Sequence, residues 1–171
     1  MDNFNTRSEL IFSRFDKYLE IVNTKGTLYL AINTFFIGAV IANIDKLNAS
    51  FELTEEVITF IGFFLAICLT STGFVLLAIN PFLNSGTKNG SASSIFYYGS
   101  VAAYEKETFI NRLHNISPEE LKEDVGNQLY CLAEGLKSKY EKLKWAGRLV
   151  LIEFILLIPL TILLASHLKK Q

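Results

Sequence analysis

The sequence predicts an all-α membrane protein with three transmembrane helices and a cytoplasmic helical module, in which the last span continues a long cytoplasmic helix. Two observations predict this fold. Half of the 171 residues are hydrophobic and the mean hydropathy is +0.31, both high for a soluble domain. The apolar residues are also concentrated in three runs, each about as long as the 20 residues that a helix needs to cross a bilayer.

The three apolar runs are residues 26–44, 57–83 and 149–168, which we predict to be the first, second and third spans. The first two contain no Asp, Glu, Lys or Arg. The third contains a single carboxylate, Glu153, and a proline, Pro159, which predicts a kink. All three runs therefore qualify as transmembrane helices.

The basic residues predict the orientation of these spans, because loops rich in Lys and Arg tend to stay in the cytoplasm. All but three of the 16 Lys and Arg residues precede the first span or lie between the second and third; the exceptions are Lys46, Lys169 and Lys170. We therefore expect a cytoplasmic N-terminus, and no signal-peptide pattern predicts its removal. The remaining segments are then a cytoplasmic amphipathic helix (1–25), an extracytoplasmic loop (45–56), a cytoplasmic module (84–148) and an extracytoplasmic tail (169–171).

The cytoplasmic module contains a clear helix start. Ser117, Pro118 and Glu120 match an N-cap, a first-turn proline and the acidic member of a capping box. A stripe of apolar residues follows at intervals of three and four, which predicts one helix of about 50 residues that ends in the third span: Leu121, Val125, Leu129, Leu132, Leu136, Tyr140 and Leu143.

Other parts of the module are predicted from composition and pattern. Residues 84–94 have the composition of a flexible linker, and residues 105–113 are typical of a short helix. Before the first span, one apolar face is expected to pack along the long helix; its members are Leu10, Ile11, Phe15, Tyr18, Leu19 and Val22.

Three adjacent aromatic residues, Phe96, Tyr97 and Tyr98, follow the linker. One interpretation is an anchor at the membrane interface that also closes the core of the cytoplasmic bundle. The other is a surface for a ligand, since exposed rings stack on flat groups such as nucleobases. The sequence leaves both interpretations open.

Two stretches carry a family resemblance. "NTKGTLYLAINTFFIGAV", and "SSIFYYGSVAAYEKETFINRL" followed by an acidic helix and "KSKYEKLKWA", resemble the membrane-spanning effectors of Pycsar, a bacterial anti-phage signalling system. The chain departs from the family pattern at Asn23, where an acidic residue is expected, and at Asn80, where a basic one is expected. The resemblance implies an effector of the bacterial inner membrane. A cyclic pyrimidine mononucleotide, cyclic CMP or cyclic UMP, would activate it to disrupt or depolarise that membrane and arrest growth.

If such a ligand binds, its phosphate needs cations or backbone N–H groups and its base needs an apolar surface. The residues that offer these groups are Phe96, Tyr97, Tyr98, Gly99, Ser100, Arg112, Lys137, Lys139, Tyr140 and Lys144. The cations from 137 to 144 have a competing explanation, because Lys and Arg next to a span commonly contact lipid head groups and fix orientation.

Polar residues inside the spans form a second group of candidates: Asn33, Thr70, Ser71, Thr72, Asn80 and Glu153. A carboxylate in the bilayer is costly unless it is protonated, paired or in contact with water. Asn33 lies at a depth similar to that of Glu153, so we expect either a brace between the two or a role for Glu153 in a pore or in proton sensing. The hydroxyl residues at 70–72 suit either packing between copies or the lining of a pore.

No pattern in the sequence indicates an enzyme, because nucleophile–base pairs, phosphate-binding loops and metal-ligand sets are missing. Two histidines do not make a metal site, and the net charge of -1 predicts no nucleic-acid partner. We expect no cofactor, and we expect lipid, a cyclic nucleotide and further copies of the chain as partners. The alternative functions are a membrane adaptor whose cytoplasmic helices bind another protein, or a subunit of a membrane-bound enzyme.

Overall fold

The computed structural model describes residues 2–51, 54–81 and 94–167, and the chain is 91% helical without strands in these ranges. The helices are α1 (Asp2–Ala42), α2 (Ile44–Ser50), α3 (Glu55–Ile79), α4 (Tyr98–Ala103), α5 (Lys106–Asn115) and α6 (Pro118–Ser166). Of these, α1, α3 and α6 are long and apolar enough to cross a membrane. The predicted all-α class with three membrane-spanning helices is confirmed.

Helix α1 joins two segments that the sequence analysis separates. Residues 1–25 and 26–44 were expected as an N-terminal helix and a span, whereas one helix runs from Asp2 to Ala42. Gly26, at the junction, does not interrupt it. A Cβ atom at Gly26 would lie 2.7 Å from Cγ2 of Ile79, so the glycine allows α1 and α3 to approach closely. Which side of the membrane each segment occupies stays a prediction.

Helix α6 confirms the predicted start and length of the long helix. The backbone N–H of Glu120 donates to Ser117 Oγ at 3.2 Å, and the N–H of Ser117 donates to Glu120 Oε2 at 3.1 Å. These two bonds form the capping box. The helix continues for 49 residues with Pro159 inside it. Every member of the predicted apolar stripe is buried or half-buried.

The chain forms two compact units. The polar unit consists of Met1–Ile21 and Pro81–Ser138, and the membrane unit consists of Val22–Asn80 and Lys139–Gln171. In the membrane unit, α1, α3 and α6 pack around Phe36, whose ring lies 5.7 Å from that of Phe64 and 5.5 Å from that of Phe154. A second cluster contains Val57, Ile61 and Leu160. The apolar core of this unit is therefore built by all three spans.

In the polar unit, the buried side of α1 differs in part from the apolar face that the sequence predicts. Leu10, Ile11 and Tyr18 are 57%, 40% and 44% exposed, so the expected packing of these three residues was wrong. Phe15 and Leu19 of the expected face are half-buried and Val22 is buried, and buried Ser8 and half-buried Phe12 lie on the same side. This part of α1 carries apolar residues on two sides, and the sequence pattern alone does not show which side is buried.

Two smaller expectations concern the segment between the second span and the long helix. The short helix expected at 105–113 is present as α5. Most of the expected linker, residues 84–93, lies outside the described residues. Cys68 and Cys131 are both free and buried.

Candidate functional site

The membrane unit holds one carboxylate in its interior. Glu153 lies on α6 inside the third apolar run, and its side chain has 0% exposure. An ionisable group in this position costs several kcal/mol in hydrocarbon unless other groups compensate it. Intramembrane carboxylates are accordingly functional candidates by default, and their partners decide what they can do.

Asn33 on α1 supplies the compensating donor. With its amide oriented to satisfy all neighbouring groups, Nδ2 donates to Glu153 Oε2 at 2.8 Å and to Oε1 at 3.1 Å. Asn33 is also 0% exposed. The contact that similar depth in the bilayer predicts is therefore present within one chain.

Helix α3 completes the cluster through Ser71. The Ser71 hydroxyl lies 2.9 Å from Asn33 Oδ1 and donates to it, and Ala146 O on α6 lies 3.4 Å from the same hydroxyl. The N–H of Thr72 lies 3.2 Å from Asn33 Oδ1. We call Asn33, Ser71 and Glu153 the polar cluster. It links all three spans through buried hydrogen bonds, so separating any one helix leaves polar groups without partners in a nonpolar medium.

The other polar residues of the spans lie elsewhere. Thr70 is exposed, and its hydroxyl donates to Ala66 O of the same helix at 2.7 Å. Asn80, which caps the C-terminus of α3, is also exposed. Neither contributes a side chain to the polar cluster. Of the adjacent Thr70, Ser71 and Thr72, the structure brings only the Ser71 side chain into it.

The aromatic segment of the polar unit is displayed on the surface. Phe96 is 50% exposed and Tyr98 is 67% exposed, so these two rings are not core residues and the core interpretation was wrong for them. The rings of Tyr97 and Tyr98 lie 5.0 Å apart at 52°. Desolvation, followed by the neighbouring Tyr98, raises the pKa of Tyr97. The anchor at the membrane interface and the surface for a flat ligand both stay predictions.

Two features hold this segment in place. The N–H of Ile95 donates to Asp124 Oδ2 on α6 at 2.9 Å, and the N–H of Phe96 donates to Ser94 Oγ at 3.0 Å. Tyr97 also packs over Gly99, where a Cβ atom would lie 2.6 Å from a ring carbon of the tyrosine. The exposed rings are therefore mounted on a backbone that is tied to the long helix.

The candidate cations occupy different environments. Lys137 and Lys144 are exposed. Arg112 is half-buried, and its Nε atom is buried without a hydrogen-bond partner in the described part of the chain. Lys139 is 8% exposed, and its Nζ donates to Ala78 O at 2.8 Å and to Asn80 O at 2.5 Å. Lys139 thus caps the C-terminus of α3, a role that sequence analysis missed.

The ten candidate ligand residues are divided between the two units. The aromatic segment with Gly99 and Ser100, together with Arg112 and Lys137, belongs to the polar unit, whereas Lys139, Tyr140 and Lys144 belong to the membrane unit. Ser100 is 7% exposed and Tyr140 is half-buried. A single ligand site that uses all ten residues stays a prediction.

Comparisons with known proteins agree with this architecture. The model of the Pycsar effector protein domain family, PycTM, matches residues 8–166. The chain is 27% identical to the Pycsar effector protein SaPycTM of Staphylococcus aureus over 128 residues, which cover 75% of each protein. No solved structure matches. Because the family model covers both units and all three long helices, the chain belongs to the Pycsar effector family and is a multi-pass membrane effector of anti-phage defence.

Proposed function

We propose that this effector is a non-enzymatic, ligand-gated membrane disruptor without a cofactor. A cyclic pyrimidine mononucleotide, cyclic CMP or cyclic UMP, activates it, and activation depolarises the inner membrane and arrests growth. The polar cluster carries the proposal. The buried Glu153 carboxylate accepts hydrogen bonds from the Asn33 amide, which in turn accepts one from the Ser71 hydroxyl. These bonds persist as long as the three helices stay together. Any rearrangement that separates them exposes a polar, ionisable path.

The polar unit is the sensing part in this proposal. Its exposed rings at 96 and 98 offer the base a stacking surface, and Arg112 offers a cation in the same unit. The N-terminus and this unit lie in the cytoplasm, where the nucleotide is made. No nucleic-acid polymer takes part, since the net charge of the chain is -1.

Activation requires several copies of the chain, because three helices are too few to enclose a pore. Small residues on the outer surface of the spans allow close approach of a second copy. Apart from the neighbouring backbone of its own helix, no described atom lies within 4 Å of the position that a Cβ atom would take at Gly38, Gly62 or Gly73. These positions are open to lipid or to a neighbouring protein.

Calorimetry of the detergent-purified protein tests the ligand. We expect saturable binding of cyclic CMP or cyclic UMP and no heat from cyclic AMP or cyclic GMP. Tyr98→Ala should weaken binding about tenfold, since one stacked base contributes about 1–3 kcal/mol. Leu113→Ala is the matched control, because Leu113 is 49% exposed in the same unit and offers no ring. No heat from any of the four nucleotides would refute the proposed ligand.

Membrane potential in cells tests the effector step separately. Glu153→Gln should fold and insert normally but fail to depolarise cells in which the activating cyclase is also expressed. Glu141→Gln, an exposed position on the same helix, should depolarise them like the wild type. Wild-type protein that binds nucleotide without depolarising cells would instead favour the adaptor function, in which the polar unit recruits another protein.

A further inference from the structure

One exposed face of α1 in the polar unit combines apolar and basic side chains. Leu10, Ile11, Tyr18 and Ile21 are 40–57% exposed, and exposed Arg7 and Arg14 lie on the same side of the helix. The spacing of three and four residues places all six on one face, which we call the basic face of α1. Neither arginine forms an ion pair with another described residue. An apolar patch of this kind in a polar environment indicates a contact surface.

A face of opposite charge lies on α6 in the same unit. Glu119, Glu123, Tyr130 and Glu134 are all exposed, and their spacing of four, seven and four residues places them on one side of the helix. Exposed Lys137 lies on the same side beyond Glu134, so carboxylates outnumber cations there by three to one. Tyr130 is 65% exposed and supplies the large ring of this surface. A hydrogen bond to Glu134 and the charge of that carboxylate raise the pKa of Tyr130. We call these four residues the acidic face of α6.

The two faces also match in spacing. Leu10 and Arg14 lie four residues apart on α1, and Tyr130 and Glu134 lie four residues apart on α6. One turn of helix separates the members of each pair, so both contacts can form at the same time between parallel helices of neighbouring copies.

Other occupants of the basic face fit less well. Two copies that present this face to each other would run parallel in the same membrane and would set Arg7 and Arg14 against their own counterparts, which is repulsive. A lipid surface is also disfavoured. A helix that lies in the membrane interface separates its basic face from its apolar face, whereas here Arg7 and Arg14 share one face with the apolar side chains.

We propose that the basic face of α1 in one copy binds the acidic face of α6 in the next copy, with Arg14 against Glu134 and Leu10 against Tyr130. The contact is heterologous, since each copy uses a different surface toward each neighbour, and repetition produces a ring or an open array. This inference rests on the proposed function, because it names the surfaces that bring several copies together.

Cysteine cross-linking in membranes tests the pairing. Leu10→Cys chains with one tag and Tyr130→Cys chains with another are co-expressed at full length, and oxidation is carried out without nucleotide and with cyclic CMP or cyclic UMP. We expect disulfide-linked dimers that carry both tags. Each variant alone should give no more product than the wild type, which controls for Cys68 and Cys131. A chain with both cysteines should give a ladder beyond the dimer.

Charge reversal supplies a second measurement. Arg14→Glu in the Leu10→Cys chain should lower the yield about fivefold, as expected for an exposed ion pair, and Glu134→Arg in the other chain should restore it. Efficient dimers of Leu10→Cys alone, capture of a different protein, or no product above wild type under all three conditions would each overturn the proposal. Cross-linking that occurs although nucleotide causes no depolarisation would leave this contact standing and refute the proposed activation.

Discussion

Leu10 and Leu28 show how the two units of the molecule differ. Both lie on α1 and both are 57% exposed, but Leu10 belongs to the polar unit and Leu28 to the membrane unit. Exposure at Leu28 is favourable, because lipid tails solvate a leucine as well as a protein core does. Exposure at Leu10 leaves apolar surface in water and therefore indicates a contact that one copy does not complete. The same observation has opposite meanings in the two solvents.

Polar residues show the reverse pattern. In the membrane unit, Glu153 and Asn33 are 0% exposed and bind each other, whereas the glutamates at 123 and 134 in the polar unit face outward. Buried polar groups in the membrane unit are therefore expected to control its stability. In the polar unit, exposed charges are expected to control association with little effect on folding.

The largest expected effect is at the polar cluster. Asn33→Leu removes the donor and leaves the Glu153 carboxylate buried without it, which we expect to lower the free energy of unfolding by about 3 kcal/mol. The change in the free energy of unfolding is measured by following the helical content while the protein is denatured in lipid micelles. The matched control is Thr34→Val, since Thr34 is exposed and its hydroxyl donates to Leu30 O of its own helix.

A double variant sharpens this prediction. Replacing both partners, Asn33→Leu with Glu153→Leu, should recover most of the loss, because no buried polar group then lacks a partner. Equal losses in Asn33→Leu and Thr34→Val would show that the cluster does not stabilise the spans.

A smaller effect is expected at Lys139. Lys139→Met removes the cation that caps the carbonyls at 78 and 80, which should cost about 1.5 kcal/mol and speed amide exchange in the last turn of α3. Lys137→Met, an exposed position two residues earlier, should change the free energy of unfolding by less than about 0.5 kcal/mol. Comparable effects of the two variants would argue against the cap.

The smallest effect is expected at the two exposed leucines of α1. Leu28→Ser should lower the stability of the protein in the membrane by about 1 kcal/mol, because a lipid-facing leucine is lost. Leu10→Ser should change it by less than about 0.5 kcal/mol while lowering the association of copies. Stability is measured by denaturation, and association by analytical ultracentrifugation of the same samples in detergent. If Leu10→Ser destabilises the fold as much as Leu28→Ser, exposure at Leu10 does not mark a contact.

Local patterns and composition predict much of this fold. The three apolar runs and the capping box at Ser117 depend only on neighbouring residues, and both are confirmed. Depth along the spans also predicts the pairing of Asn33 with Glu153. The role of Ser71 depends on how α3 is rotated about its axis, and hydropathy carries no rotational information when a helix is apolar all round.

Two features of the structure could not be predicted from the sequence, because one depends on a contact between distant residues and the other on a choice between two apolar faces. Lys139 meets carbonyls some 60 residues earlier in the chain, and backbone carbonyls leave no signal in a sequence. The N-terminal part of α1 has apolar residues on two sides, so periodicity did not identify the buried one. The exposed apolar side of this segment belongs to the basic face of α1, from which the contact between copies is proposed.

The most direct test of the account is dye release from liposomes that contain the purified protein, with Asn33→Leu compared with Thr34→Val. The account predicts that wild type and Thr34→Val release dye only when cyclic CMP or cyclic UMP is added, and that Asn33→Leu releases dye without nucleotide because the polar cluster no longer holds the spans together. Asn33→Leu liposomes that stay sealed until nucleotide is added, as the wild type does, would contradict it.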